Sequence, residues 1–394
     1  MISQRLIIKI VPKIFEFQSR DLREISVLND LGCKVHVVAI GENSISNDNP
    51  EYILHNRTSR PLGAKFFSVK INRIVSLFTI AKYIRSLNGH IYSCHDLDAL
   101  FIGWLANLFV RKSHKALLVY DSHEFELGRN TNGKRNSIHN TFIFILEKFL
   151  ITKSAFSIMV TDSIADEVTK IYKLKTRPYV VRNIPPSIKI DENKFIEKRI
   201  FFCEQLNCSF NDILLMYHGG ITNGRGIESL IKVISYYSNV YLIILGNGED
   251  NYIRSILNLI NNQNVSKKVL LHQSVAHEIL WQYVGAVNIG MVVPENICKS
   301  YYFSLANKFL ENIQAETPII ASDFPELARI INKYQIGLLC NPEKIETLKE
   351  AIDTIINNSD LYNKFKINLK TAKRELCWEN ERVILENAYK KIIN

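Results

Sequence analysis

Along the chain, short apolar runs alternate with longer stretches in which apolar residues return every three or four positions. In the first half the runs are "LIIKIV", "KVHVVAI", "IYSC", "ALLVY", "FSIMV" and "YVVRN". Helical spacing appears between them in "QSRDLREISVLNDLG", "DALFIGWLANLF" and "SIADEVTKIY". Apolar runs of roughly four to eight residues suit strands buried on both faces, and a period of about 3.6 suits helices with one apolar side. The pattern restarts with "DILLMYHG", "VYLIILG", "KVLLH", "VNIGMVV", "PIIAS" and "GLLCN", interleaved with "IESLIKVISYY", "NYIRSILNLI", "HEILWQYV" and "KIETLKEAIDTII". This alternation predicts an α/β protein built from two doubly wound, Rossmann-like parallel sheets.

The 394 residues agree, because a single core rarely grows that large. The junction is placed in "RNIPPSIKIDENKFIEKR", where Pro185 and Pro186 break regular structure, giving domains 1–186 and 187–376. Ligands of doubly wound folds bind beyond the carboxyl ends of the strands, so function is expected in a cleft there. No repeat or low-complexity tract suggests a solenoid or a disordered array.

Composition narrows the class. No apolar run is long enough for a membrane span. In "MISQRLIIKIVPKIFEF", Lys9 and Lys13 interrupt the apolar stretch and no cleavage site follows, so it reads as a buried first strand, not a signal peptide. The seven cysteines are scattered without Cys-x-x-Cys pairs, which fits a reducing, cytoplasmic setting and no structural zinc. A formal charge of +10 draws polyanions. It is concentrated between Tyr52 and His95, where Arg57, Arg60, Lys65, Lys70, Arg73, Lys82 and Arg85 occur without any Asp or Glu. The basic 57–85 segment is either a face for an anionic membrane or a solvated helix side. Nucleic acid is not expected, since no basic-aromatic module is present.

Two stretches carry candidate chemistry. In "MYHGGITNGRGIESLI" a strand ends at Tyr217, a loop holds Gly219, Gly220, Gly224 and Gly226, and a helix begins near Ile227. Glycines admit a ligand close to the backbone, and a helix amino end offers free N–H groups to an anion. Arg225 adds a full charge. In "NKFLENIQAETPIIASDFPE", Asn307, Lys308 and Glu311 share one helix face while Phe309 and Ile313 point to a core. Lys308 supplies a second cation, and Glu311 an acceptor suited to paired ribose hydroxyls. Ordinary turn geometry and a surface ion pair would explain each stretch taken alone. His123 follows a strand end in "YDSHE", and Asp96 and Asp98 in "HDLDAL" are read as residues of a helix start in preference to metal ligands.

In order and spacing, "YHGGITNGRGIESLI", "LIILGNGED", "NKFLENIQAETPIIASDFPEL" and "IGLLCNPE" resemble the donor half of the retaining GT-B glycosyltransferases of family four. "VYDSHEFE", "CHDLDAL", "MVTDSIADEV" and "VVRNIPP" resemble its amino-terminal half. The resemblance implies a GT-B fold and a nucleotide-diphosphate sugar as co-substrate, with no metal or other cofactor. It implies that Arg225 and Lys308 hold the donor diphosphate and that Glu311 contacts the ribose. Gly219, Gly220, Gly226, Gly246 and Asn307 border the donor, and His123 lies beside the donor sugar. The expected partner is a glycan or lipid-linked acceptor in surface-polysaccharide synthesis, at the inner membrane face. A last helix, about 377–394 in "AKRELCWENERVILENAYKKIIN", returns to the first domain with Trp378, Val383, Ile384 and Tyr389 as its buried positions.

Three departures stand out. Phe303 occupies the position where many relatives have a glutamate for the donor sugar, Glu316 replaces a common glycine, and the first strand leads into "VPK" without a glycine loop. A nucleotide-sugar epimerase or hydrolase, and a GT-B protein that binds without catalysis, remain as alternatives.

Overall fold

The computed structural model describes residues 4–11, 19–41, 49–57, 69–108, 110–111, 114–129 and 135–393. The chain divides into two units, Met1–Asn183 with Glu381–Asn394, and Ile184–Asn380. The "VPK" departure lies mostly outside the described residues.

The first unit runs β1 (Leu6–Val11), α1 (Ser19–Asp30), β2 (Lys34–Ile40), β3 (Ile53–Arg57), α2 (Val69–Ser86), β4 (Ile91–His95) and α3 (Asp96–Leu108). It continues with β5 (Leu117–Ser122), α4 (Ser137–Ile151), β6 (Phe156–Met159), α5 (Asp162–Tyr172) and β7 (Tyr179–Val180). Its sheet has the order β3-β2-β1-β4-β5-β6-β7, with parallel pairing throughout. The chain starts in the middle and winds outward both ways, so the order reverses between β1 and β4. Right-handed crossovers set α2, α3, α4 and α5 on one face and α1 on the other.

The second unit begins with α6 (Glu192–Leu206), β8 (Ile213–His218), α7 (Ile227–Ile234), β9 (Val240–Leu245), α8 (Asp250–Asn262), β10 (Val269–His272) and α9 (His277–Gly285). There follow β11 (Ile289–Val292), α10 (Lys299–Tyr302), α11 (Asn307–Gln314), β12 (Ile319–Ser322), α12 (Pro325–Tyr334), β13 (Gly337–Cys340), α13 (Ile345–Ile356) and α14 (Ser359–Glu375). The parallel sheet β10-β9-β8-β11-β12-β13 reverses between β8 and β11. Leu215, Tyr217, Leu242 and Ile244 pack on one face with α7, α8 and α13, and Leu214, Met216 and Ile243 on the other with α6 and α9. Burying both faces explains why these strands read as unbroken apolar runs. Each fully buried aliphatic side chain contributes about 1.5–3 kcal/mol.

Two points differ from the sequence reading. The polar part of the Pro185–Pro186 junction is helical from Glu192, because Asp191 caps α6 by accepting a hydrogen bond from Asn193 N–H at 3.1 Å. The last helix, expected at about 377–394, is α15 (Trp378–Ile393), and α14 ends before Leu376. On α15 Trp378 and Tyr389 are buried as expected, but Val383 is exposed and Leu385 and Ala388 take the inner positions. No helix among the described residues is long and apolar enough to cross a membrane.

Candidate active site

In the second unit the loop after β8 and the start of α11 meet where strand order reverses. Gly219 N–H donates to Leu245 O at 2.9 Å and Ile221 N–H to Asn247 O at 2.8 Å, so the loops after β8 and β9 travel together. A Cβ on Gly246 would stand 1.9 Å from Gly219 O, so this glycine is required by that close approach. Gly226 caps α7 with φ +75°, and a Cβ there would lie 2.1 Å from Val293 O. Gly220 faces open space. Beside Gly219 lies Lys308: a Cβ on the glycine would be 3.8 Å from its Nζ.

Lys308 Nζ sits 3.6 Å from the centre of the Tyr217 ring, and the Arg225 guanidinium 4.3 Å from that of Tyr301. Among the described residues neither cation has an ion-pair partner. Burial holds the Lys308 ammonium well below its ordinary pKa, Arg225 lowers it further, and Glu311 only partly opposes them. Two like charges held together without a carboxylate to pair with either are costly until an anion joins them. Aromatic faces offset part of that cost.

Glu311, one turn after Lys308, accepts a hydrogen bond from His218 Nε2 at 2.9 Å, and His277 Nδ1 is 3.7 Å from its other oxygen. Burial pushes its carboxyl upward, but the His218 bond, with His277 and Lys308, outweighs this and keeps it below the usual range. His218 is the last residue of β8 and buried, with its Nδ1 unpartnered. Its role was not foreseen. The only signal for it is a polar residue closing an apolar strand directly before the glycine loop. Asn307 is exposed at the first position of α11.

The departures from the resemblance also find places. Glu316 has φ +56°, a conformation that favours glycine, and its carboxylate lies 3.2 Å from Lys373 Nζ. Its ion pair is structural. Phe303 follows α10, with its ring centre 5.3 Å from that of Tyr302.

The first unit carries a second polar centre, also at its reversal point. Lys9, central in β1 and fully buried, has its ammonium 3.0 Å from Asp21 Oδ1 and bonded to Glu24. His95 Nε2 lies 2.9 Å from Glu24 Oε2, and His95 Nδ1 is 2.9 Å from His123 Nε2. Arg20 holds Asp121 with two bonds of 2.8 and 3.2 Å. Asp21, His95 and His123, or Glu24, His95 and Asp121, bring three ligand-type atoms together. The Lys9 ammonium already lies among those atoms, so the donor set fits an ion-pair network better than a metal. Three carboxylates, Asp21, Glu24 and Asp121, face the cations of Lys9 and Arg20. Burial and Lys9 push the His95 pKa down, but Asp21 and Glu24 prevail and raise it.

His123, partly exposed just beyond β5, is the member of this network nearest solvent, with a side-chain exposure of 22% against 1% for His95. Asp96 opens α3, as the sequence suggested, and does more there. Its Oδ1 accepts from His123 N–H at 3.1 Å and its Oδ2 lies 3.3 Å from Arg129 Nη2, so it fixes the loop bearing His123. Asp98 is exposed in the first turn of α3. In the basic segment, residues 58–68, with Arg60 and Lys65, lie outside the described residues, as do the side chains of Lys70 and Arg73. Arg57 stacks on Tyr83 at 3.5 Å.

Residues 203–372 match the family model described as glycosyl transferases group 1. No curated protein matches the chain at the sequence level. Among solved structures, sucrose-phosphate synthase from Thermosynechococcus elongatus is similar with TM-score 0.76 and 16% identity, covering 99% of each chain. HepE of Anabaena in complex with UDP gives TM-score 0.75 and 12% identity, again over 99% of each chain. The lipopolysaccharide outer core galactosyltransferase WaaB gives 0.67 and 12%, over 98% of this chain and 99% of that one. At such identities the likeness establishes the fold. The chain thus has the fold of the GT-B glycosyltransferases, and its residues 203–372 match the glycosyl transferases group 1 family model.

Proposed function

We propose that this protein is a retaining, metal-independent glycosyltransferase that moves a sugar from a nucleoside diphosphate to a glycan or lipid-linked acceptor in surface-polysaccharide synthesis. One observation carries the reading: Arg225 and Lys308, which feel each other's charge and have no ion-pair partner among the described residues, border the loop after β8, with Glu311 one turn from Lys308. A diphosphate answers both charges, and Glu311, fixed by His218, suits the hydroxyls of the attached ribose. HepE structures described with UDP and with UDP-glucose favour a uridine donor.

In the reaction the bond from the anomeric carbon to the diphosphate breaks while the acceptor oxygen bonds to the same face of that carbon. The acceptor proton passes to a leaving-group oxygen. Negative charge grows on the diphosphate, where the two fixed cations lower the barrier. His123 is assigned the orienting of the sugar on the strength of the resemblance, and a lipid-linked acceptor would hold the enzyme at the inner membrane face. Phe303, in place of a sugar-binding carboxylate, favours one rival, a binding protein without catalysis.

The test is a melting-shift panel of nucleoside diphosphates and nucleotide sugars, followed by transfer assays. One nucleotide at about 100 times its dissociation constant should stabilise by about 2.7 kcal/mol. Arg225→Ala and Lys308→Ala should each lose most of that shift and about 10²-fold in turnover. Full shift and full turnover in both variants would refute the assignment. A shift without transfer to any acceptor would leave the binding reading in its place.

A further inference from the structure

We infer that the outer face of α4, with its neighbours α3 and α2, inserts into an anionic lipid surface. The inference rests on the membrane-face part of the proposed function and names the surface responsible. Helix α4 is anchored by Glu147, Leu150 and Ile151, which are buried. On the opposite side Ile138, Phe142, Ile145 and Phe149 recur at spacings of four, three and four, so they form one stripe. They are 80%, 60%, 61% and 43% exposed. Four large apolar side chains aligned on solvent are not scattered surface residues but a contact face.

The stripe continues sideways. Phe149 meets Trp104 of α3 edge to face, ring centres 5.6 Å apart, and Trp104 stacks on Phe101. Leu108 of α3 and Val75 and Phe78 of α2 are exposed as well.

Charge selects the occupant. Glu147, the only acid of α4, is buried and bonded by Tyr120 and Tyr172, and α2 has no acid at all. Among the described residues of these three helices Asp98 is the one exposed carboxylate. Cations border the apolar surface: Lys148 lies over the Phe144 ring, Lys153 over Phe149, and Lys82 and Arg85 are exposed on α2. Aromatic and aliphatic residues flanked by Lys and Arg match the headgroup boundary of an anionic bilayer. A second copy of this chain would bring the same cations against themselves, which disfavours it as the occupant.

The experiment is co-sedimentation of the full chain with phosphatidylcholine vesicles and with vesicles also containing phosphatidylglycerol. The wild type should pellet with the second kind. Phe142→Glu with Ile145→Glu should weaken binding at least about tenfold, one decade of affinity. Lys148→Glu with Lys153→Glu should remove the preference for anionic lipid. Amide-hydrogen protection of β4 and β5, which reports the unit that carries α4, should stay native in both and shows that the variants fold. Wild type absent from both pellets refutes the membrane reading itself. Wild type and Phe142/Ile145 variant pelleting alike refutes only the inference about α4. Equal pelleting with neutral vesicles refutes the role of the cations. A lipid-free dimer that the Phe142/Ile145 variant disrupts assigns the face to a second copy.

Discussion

At the scale of single residues, the second unit rests on one imidazole. His218 fixes the Glu311 carboxylate at 2.9 Å, one turn from a lysine whose pKa burial and Arg225 push down. A carboxylate whose folded-state pKa is depressed contributes above its unfolded value and loses that contribution as pH falls through the folded value. Donor binding that uses ionised Glu311 should therefore persist on acidification past the ordinary glutamate pKa of about 4.3. His218→Ala removes the largest favourable influence on that carboxyl, while the burial that opposes ionisation remains. The variant should lose donor affinity by about 1.5–3 kcal/mol, the range for a hydrogen bond to a charged group. Its binding should also fail at a higher pH than in the wild type. Calorimetric titration with the nucleotide across pH measures both, and an unchanged acid limb would mean that His218 does not position Glu311.

At the scale of elements, α4 shows how a helix escapes pattern reading. "SIHNTFIFILEKFLI" is apolar almost all round, so it lacks the polar side that marks the other helices, and its one acid is hidden. Burial raises the Glu147 carboxyl to about 7, although the Tyr172 and Tyr120 hydroxyls donate to it and pull the other way. A group with a raised folded-state pKa contributes fully below its unfolded value, near 4.5 here, and the contribution fades as pH rises through about 7. Glu147→Gln, keeping the shape without the charge, should raise stability above pH 7 by about 1–3 kcal/mol and flatten its decline from pH 4.5. Thermal unfolding across pH decides it, and a parallel slope in the variant would sink the claim. The strands were legible because burial on both faces leaves an unbroken apolar signature. Helix α6 was not, since its start depends on the Asp191 cap inside a polar stretch. Of the candidate site, Arg225, Lys308 and Glu311 could be read because they stand beside glycines and a helix start. Lys9 read as an interruption of an apolar strand, yet it is the buried counter-ion of Asp21 and Glu24. Its partners come from α1, and no local pattern shows them.

At the scale of the whole molecule, the chain leaves the first unit after Asn183 and re-enters it at Glu381. The returning part of α15 is integral to that unit's polar centre. Tyr389 is fully buried, donates to Glu24 Oε1 at 2.6 Å and packs edge to face on Phe156. Glu381 accepts from Arg182 N–H at 2.6 Å, and Leu385 and Ala388 fill the space between. Ending the chain at Asn380 exposes Leu385's and Tyr389's contacts at about 1.5–3 kcal/mol each. It also removes one of the donors to Glu24, in a network where an unmatched buried charge costs a further few kcal/mol. The sum approaches the roughly 5–15 kcal/mol that holds a domain folded. The donor side should not notice, since His218, Arg225, Lys308 and Glu311 all lie between Ile184 and Asn380. The truncated protein should therefore show a first unit that exchanges its amide hydrogens as an unfolded chain does. Its second unit should still melt cooperatively and still shift with the nucleoside diphosphate. Hydrogen exchange resolved by segment reads both at once. Native protection of β1 and β4 after truncation would show that α15 is dispensable, and loss of the nucleotide shift would show that donor binding needs the first unit after all.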